Sequence, residues 1–403
     1  MTSPQDAGQS ASPPDAPSIG VVTVVLIAAI ATIGANSLAL GPIAPEVAKG
    51  FATGTVDVMV SASSYGIGIA IGALALSPLI DRLGAARALT IALLCLVLTF
   101  AASALAITLP MLIVTQCLTG LVSGLGLPAI YAYTSLVAPA GREAQLLGRV
   151  LVGWTLSMVI GVSLAALLAD LLGWRWVFAA FSMMTLCALI ALHRLRVPQS
   201  PHSAAPLVWP HHTLTIAGVK PLLFICFAYM AAFYGTYGYV GDHVHHDLGL
   251  PVRSMAIVSI SYGLGFGLAA IADPLIDRLG QARVMPAAFT SLMIMYVILA
   301  FVSDGLSTLA LASFGWGLLN HFGLNLIVAG LSAIDPARRG AILGAYSAVT
   351  YLSAALATAL GGWLYAAHGF PTLALAAAGL IALSCLMTLV RRPERHAPEA
   401  PLL

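Results

Sequence analysis

"PLIDRLG" stands at Pro78–Gly84 and again at Pro274–Gly280, 196 positions further on in a chain of 403 residues. After one variable residue each copy continues with Ala-Arg, at Ala86-Arg87 and Ala282-Arg283. A charged phrase written twice, half a chain apart, points to a duplicated unit.

The residues around the two copies are apolar. Hydrophobic residues make up 60% of the chain and charged ones 8%, against about 25% charged in an average soluble domain. So few charges cannot clothe a water-facing surface, and the expected solvent is lipid. A net charge of +2 gives no reason to expect nucleic acid as a partner. Cys95, Cys117, Cys187, Cys226 and Cys385 all lie in apolar runs without a CxxC neighbour and read as packing residues, not as a disulfide or metal framework. The polar start, residues 1–18, has no basic residue and reads as a disordered tail.

Apolar runs between charged punctuation give twelve expected membrane helices, at about 19–41, 57–80, 88–107, 110–137, 147–170, 175–193, 221–240, 253–276, 285–303, 306–334, 342–367 and 371–390. The expected organisation is a tail (1–18), a six-helix bundle (19–193), a linker rich in Pro, His and Ser (194–220), a second six-helix bundle (221–390) and a tail (391–403). With the N-terminus in the cytoplasm, 14 of the 17 basic residues face that side, leaving Lys49, Arg175 and Arg253 outside. The bias places both termini and the linker in the cytoplasm.

On this map both heptapeptides end a second helix of their half. Leu147-Gly148 and Leu343-Gly344 share the spacing, and "SYGIG" (Ser64–Gly68) resembles "SYGLG" (Ser261–Gly265) with a one-residue slip. Six is an even number, so both copies cross the membrane in the same sense. Parallel repeats suit a carrier that rocks two halves about a central site. The stretches "SPLIDRLGAAR" (Ser77–Arg87) and "DPLIDRLGQAR" (Asp273–Arg283) resemble the loop pattern G-x-L-x-D-R-x-G-x-x-R of the major facilitator superfamily, and within it the bacterial proton-antiporter branch of sugar- and drug-efflux carriers.

That resemblance implies an all-α membrane protein with twelve transmembrane helices in two pseudo-symmetric bundles. It implies a monomer in the bacterial inner membrane with no cofactor. The expected activity is secondary transport of a small organic solute, with proton-coupled efflux as the first reading. Import, uncoupled facilitation or a non-transport role on the same fold remain as alternatives. It also implies that Asp81 and Asp277 face helix starts at a cytoplasmic joint, with Arg82, Arg87, Arg142, Arg278, Arg283, Arg338 and Arg339 tying that joint; fixing topology is the other reading. The leading glycine is replaced by Ser77 and Asp273. Gln116 stands where efflux members carry an arginine, and the antiporter motif G-P-x-x-G-G reads "GVSLAA" at Gly161–Ala166.

No Asp, Glu, Lys or Arg falls near the middle of an expected span. Such groups are costly in lipid, and the deep polar residues are the candidates for function. In the superfamily helices 1, 4, 7 and 10 line the cavity. Here they offer Asn36, Gln116, Tyr234 and Tyr237, and then Trp316, Asn320, His321 and Asn325. This set reads as a mostly neutral solute site, with interhelical bonding as the alternative. An imidazole titrates near neutrality in water, so His321 is the expected proton carrier. Trp154 and Tyr65 read as packing. "GDHVHHDLG" (Gly241–Gly249) reads as a solvated outer loop, open to pH sensing and less suited to metal. No nucleotide loop, HExxH or GxSxG is present in a fitting context, so neither an enzyme nor ATP drive is expected.

Overall fold

The computed structural model describes residues 19–76, 78–139, 142–195, 210–335 and 338–390. Its long helices are α1 (Ile19–Phe51), α2 (Thr55–Ala75), α4 (Ala85–Ala104), α5 (Leu109–Val137), α8 (Trp174–Arg194), α9 (Val219–Asp242), α10 (Met255–Ala269), α12 (Gln281–Val302), α13 (Leu306–Ile334) and α14 (Arg339–Val390). Shorter ones are α3 (Pro78–Leu83), α6 (Glu143–Leu156), α7 (Ser163–Leu172) and α11 (Asp273–Leu279). Eleven helical stretches among the described residues are long and apolar enough to cross a membrane. The last is broken at Gly369, where φ is 76° and Pro371 follows, into two legs. Leu105, Ile107, Phe301, Leu311, Leu360 and Trp363 are exposed, as a lipid-facing surface requires. The chain is a multi-pass membrane protein.

The repeated phrase folds the same way twice. Pro78–Leu83 and Asp273–Leu279 form short helices. The closing glycines, Gly84 (φ 80°, ψ 149°) and Gly280 (φ 84°, ψ 135°), take conformations that side chains resist, and turn the chain into α4 and α12. The span expected over 57–80 is divided between α2, which ends at Ala75, and α3, which begins at Pro78.

Glycine packing repeats as well. A methyl group at Gly68 or Gly120 would strike the carbonyls of Cys117 or Tyr65, so α2 and α5 touch backbone to backbone. Gly265 and Gly317 do the same against Phe314 and Tyr262, joining α10 to α13. Gly66 lies against Tyr351 and Ala355 of α14, and Gly263 against Met158 and Val159. At one end Gly41 of α1 meets Gly238 of α9.

Other boundaries differ from the reading. α1 runs on to Phe51 through Pro42 and Pro45. Between α6 and α7, Ser157–Val162 is a π-helical turn containing Gly161, which packs on Ala35. The stretch read as a solvated outer loop is a continuation of α9: His243–Asp247 forms a second π turn, and Asp242 and His243 are buried. The tails, most of the linker (196–209) and the side chains of Asp81 and Asp277 lie outside the described residues.

Candidate functional site

The eight residues expected to line one site fall into three groups. In the first, Asn36 of α1 donates from Nδ2 to Gln116 Oε1 of α5 at 3.2 Å, and Gln116 Nε2 donates to Ser103 Oγ of α4 at 3.2 Å. Ser103 Oγ goes on to Thr115 Oγ1 at 3.0 Å. All four are buried. The amide of Gln116 is thus spent on neighbouring helices, while Asn36 Oδ1 has no partner among the described residues.

The second group is aromatic. Tyr237 and Phe233 of α9, Tyr262 of α10 and Trp316 of α13 pack with ring centroids 5.1–6.1 Å apart. Asn320 Nδ2 donates to Tyr262 Oη at 3.0 Å, and Tyr237 Oη lies 3.0 Å from Ser259 Oγ. Tyr234 and Tyr237 also border a cavity closed on the other side by Ser37, Leu38, Met59 and Ala62. Its volume is about 20 Å³, room for a water molecule and not for an organic solute. Tyr65 bonds to Ser37 Oγ at 3.0 Å, a helix-to-helix contact.

The third group contains a residue that sequence reading left out of the site. His321 Nε2 lies 3.0 Å from Asp273 Oδ1, and Asn325 Nδ2 donates to the same oxygen at 2.9 Å. Helical spacing puts His321 and Asn325 on one face of α13. Phe266 closes against the imidazole at 5.1 Å. The side chains are 15% and 35% exposed, so the pair is only part-buried. His321 is thus not the isolated deep titratable group expected; a carboxylate faces it. The signal was present: Asp273 stands where the loop pattern has its glycine.

Charges separate the two ends of the molecule. Arg82, Arg87, Arg142, Arg278, Arg283 and Arg339 are exposed and form no ion pair with a described residue, and Arg338 meets Asp335 at 3.7 Å. The opposite end is tied. Arg253 Nη1 meets Asp170 Oδ2 at 2.8 Å, and Thr55 Oγ1 donates to Asp242 Oδ1 at 2.5 Å. Both contacts join residues from different repeats. Neither was visible in sequence, because each pairs residues 83 or 187 positions apart. Among the described residues no cluster of three His, Cys, Asp or Glu is arranged to hold a metal.

Two comparisons bear on this architecture. The Major Facilitator Superfamily model matches residues 24–333. An uncharacterized MFS-type transporter of Bacillus subtilis (strain 168), YwfA, is 26% identical over 375 residues, covering 91% of each chain. That relative is named as a transporter. With the doubled loop phrase and the repeated glycine packing, these matches establish that the chain belongs to the Major Facilitator Superfamily.

Proposed function

We propose that this protein is a proton-coupled secondary carrier that exports a small, uncharged or weakly charged organic solute. Twelve crossings in two six-helix bundles, 19–193 and 221–390, rock about the cavity between α1, α2 and α9. The repeated contacts of α2 with α14 and of α10 with the first π turn support that arrangement. The arginine-rich end is cytoplasmic, by the distribution of basic residues, in a bacterial inner membrane. Asp81, Asp277 and the neighbouring arginines form the cytoplasmic joint.

The observation that carries proton coupling is the 3.0 Å contact between His321 and Asp273. An imidazole and a carboxylate that share a hydrogen bond and reach solvent can take up and release one proton between them. The aromatic residues and amides of α9 and α13 supply a neutral solute surface. The test is counterflow in liposomes with an imposed pH gradient. One pH unit is worth about 1.4 kcal/mol, so one proton per solute supports about tenfold accumulation. Wild-type protein should reach it, and His321→Gln should equilibrate the solute without accumulating it. A wild type indifferent to the gradient sinks the coupling. The facilitator reading then stands, favoured by the uncharged Asn36–Gln116–Ser103 network in the first half.

A further inference from the structure

His243 is the most constrained histidine among the described residues. Its side chain is 5% exposed. Nδ1 lies 2.6 Å from Asp247 Oδ2 and Nε2 lies 2.9 Å from the Ser303 carbonyl oxygen. The ring stacks on Phe370 at 4.6 Å and 17°. A carbonyl only accepts, and so does an ionised carboxylate. A neutral imidazole offers a single N–H and cannot satisfy both. The arrangement closes only with one further proton, carried either as imidazolium facing carboxylate or as neutral imidazole facing carboxylic acid. Without it, one of the two contacts sets lone pair against lone pair.

We propose that the His243–Asp247 pair is a proton-binding site that clasps the outer end of the carrier shut. Asp247 is 48% exposed, which gives the proton a route to the outer solvent. The pair pins the π turn at the end of α9 to the residue after α12 and to the second leg of α14. Tyr365 Oη also donates to Asp247 Oδ2, at 3.4 Å. Asp242, the last residue of α9, is held by His246 Nδ1 of the turn at 2.8 Å and accepts the Thr55 hydroxyl from the other repeat. The clasp therefore orders the turn, and the turn through His246 holds Asp242, which makes the contact between halves.

Other titratable groups here are His245 in the turn, Arg253 just before α10, Asp57 on α2, Glu46 and Lys49 on α1, Asp304 after α12 and His368 on α14. Asp57 is occupied by Thr53 and Gly54, and Glu46 by Lys49. His245 meets the Leu250 carbonyl and Arg253 meets Asp170, and none of these seven forms a bond to the pair.

The sign follows from the proton count. The closed end holds one more proton than the open end, so lowering the outer pH favours closure and raising it favours opening. On the export reading, on which this inference rests, a proton arriving from outside closes that end after the solute has left.

The test is amide hydrogen exchange of residues 55–62 and 238–247 in the full chain in lipid nanodiscs, corrected for the intrinsic effect of pH. It is read at about pH 5.5 and about pH 8.5, which bracket imidazole titration. Wild-type exchange should be faster at the higher pH. Thr55→Val should raise it at both values by about two- to tenfold, the range one hydrogen bond supplies, and keep the pH ratio. His243→Gln should abolish the ratio. Asp247→Asn, whose amide can donate to a neutral imidazole, should stay protected at both pH values, and it decides the matter if His243→Gln does not fold. Equal corrected exchange in the wild type at both pH values, or a ratio that survives in Asp247→Asn, overturns the clasp. The readout is local opening and not flux. A wild type that opens with pH yet shows no proton-driven accumulation sinks the coupling alone; the reverse result sinks the clasp alone.

Discussion

Two histidine–aspartate pairs, His243–Asp247 and His321–Asp273, are built from the same groups and differ in what surrounds them. His243 has acceptors on both ring nitrogens and is buried under Phe370. His321 has one acceptor, at Nε2, and sits part-exposed beside an aspartate that Asn325 also serves. A neutral imidazole meets every demand on His321 but only half the demands on His243. On the proposed reading the first pair holds a proton while an end stays shut, and the second exchanges one. Identical chemistry is thus divided by the count of available acceptors.

Three measurements test this contrast. The largest effect belongs to His243→Gln. It leaves Asp247 or the Ser303 carbonyl without its donor, at a cost of about 1–3 kcal/mol. The apparent melting temperature in detergent should fall by several degrees, and more than it falls for His321→Gln. Equal losses in the two variants would erase the distinction between a locked and a loose pair.

Next comes Asp273→Asn. The amide oxygen still accepts from His321, so folding should be nearly unchanged. The carboxylate is gone, so the accumulation of about tenfold per pH unit should collapse to equilibration. If accumulation persists in a liposome assay, His321 exchanges its proton without Asp273.

The smallest effect is expected for Arg253→Gln. That pair also closes the tied end, but Arg253 is 54% exposed, and exposed ion pairs contribute about 0–1 kcal/mol. Salt should mimic the substitution. Hydrogen exchange of residues 252–258 should rise slightly at every pH, with no change in the pH ratio of residues 238–247. A large pH-dependent effect would move the clasp from the π turn to the Arg253–Asp170 contact.

Much of the architecture was legible in the chain. The tenth expected span, 306–334, coincides with α13, and the break expected between 367 and 371 is the kink at Gly369. Hydropathy works there because lipid tolerates no unpaired backbone, so the spans must be helical. The site was legible only as an inventory. Gln116, Asn320 and His321 were found as deep polar residues, but their partners Ser103, Tyr262 and Asp273 were not. Those partners come from other helices, and hydropathy along one helix does not encode which face of the next one meets it.

Glycine spacing shows how far sequence reaches. "SYGIG" and "SYGLG" announced a repeat, and the structure adds that each second glycine admits a carbonyl of the adjacent helix. The histidine-rich stretch shows the limit. Its charge and its position after a long apolar run read as a solvated loop. Burial beneath Phe370, with Ser303 and Asp247 as acceptors, made it a helical turn instead. Composition and residue order were enough for a membrane solvent, helical spans, a repeated phrase and the end that carries the arginines. Tertiary structure alone decided which polar groups are spent on one another and which of the histidines is saturated. Hydrogen-bond saturation is a property of pairs, and here its members lie tens of positions apart, brought together only when the helices pack.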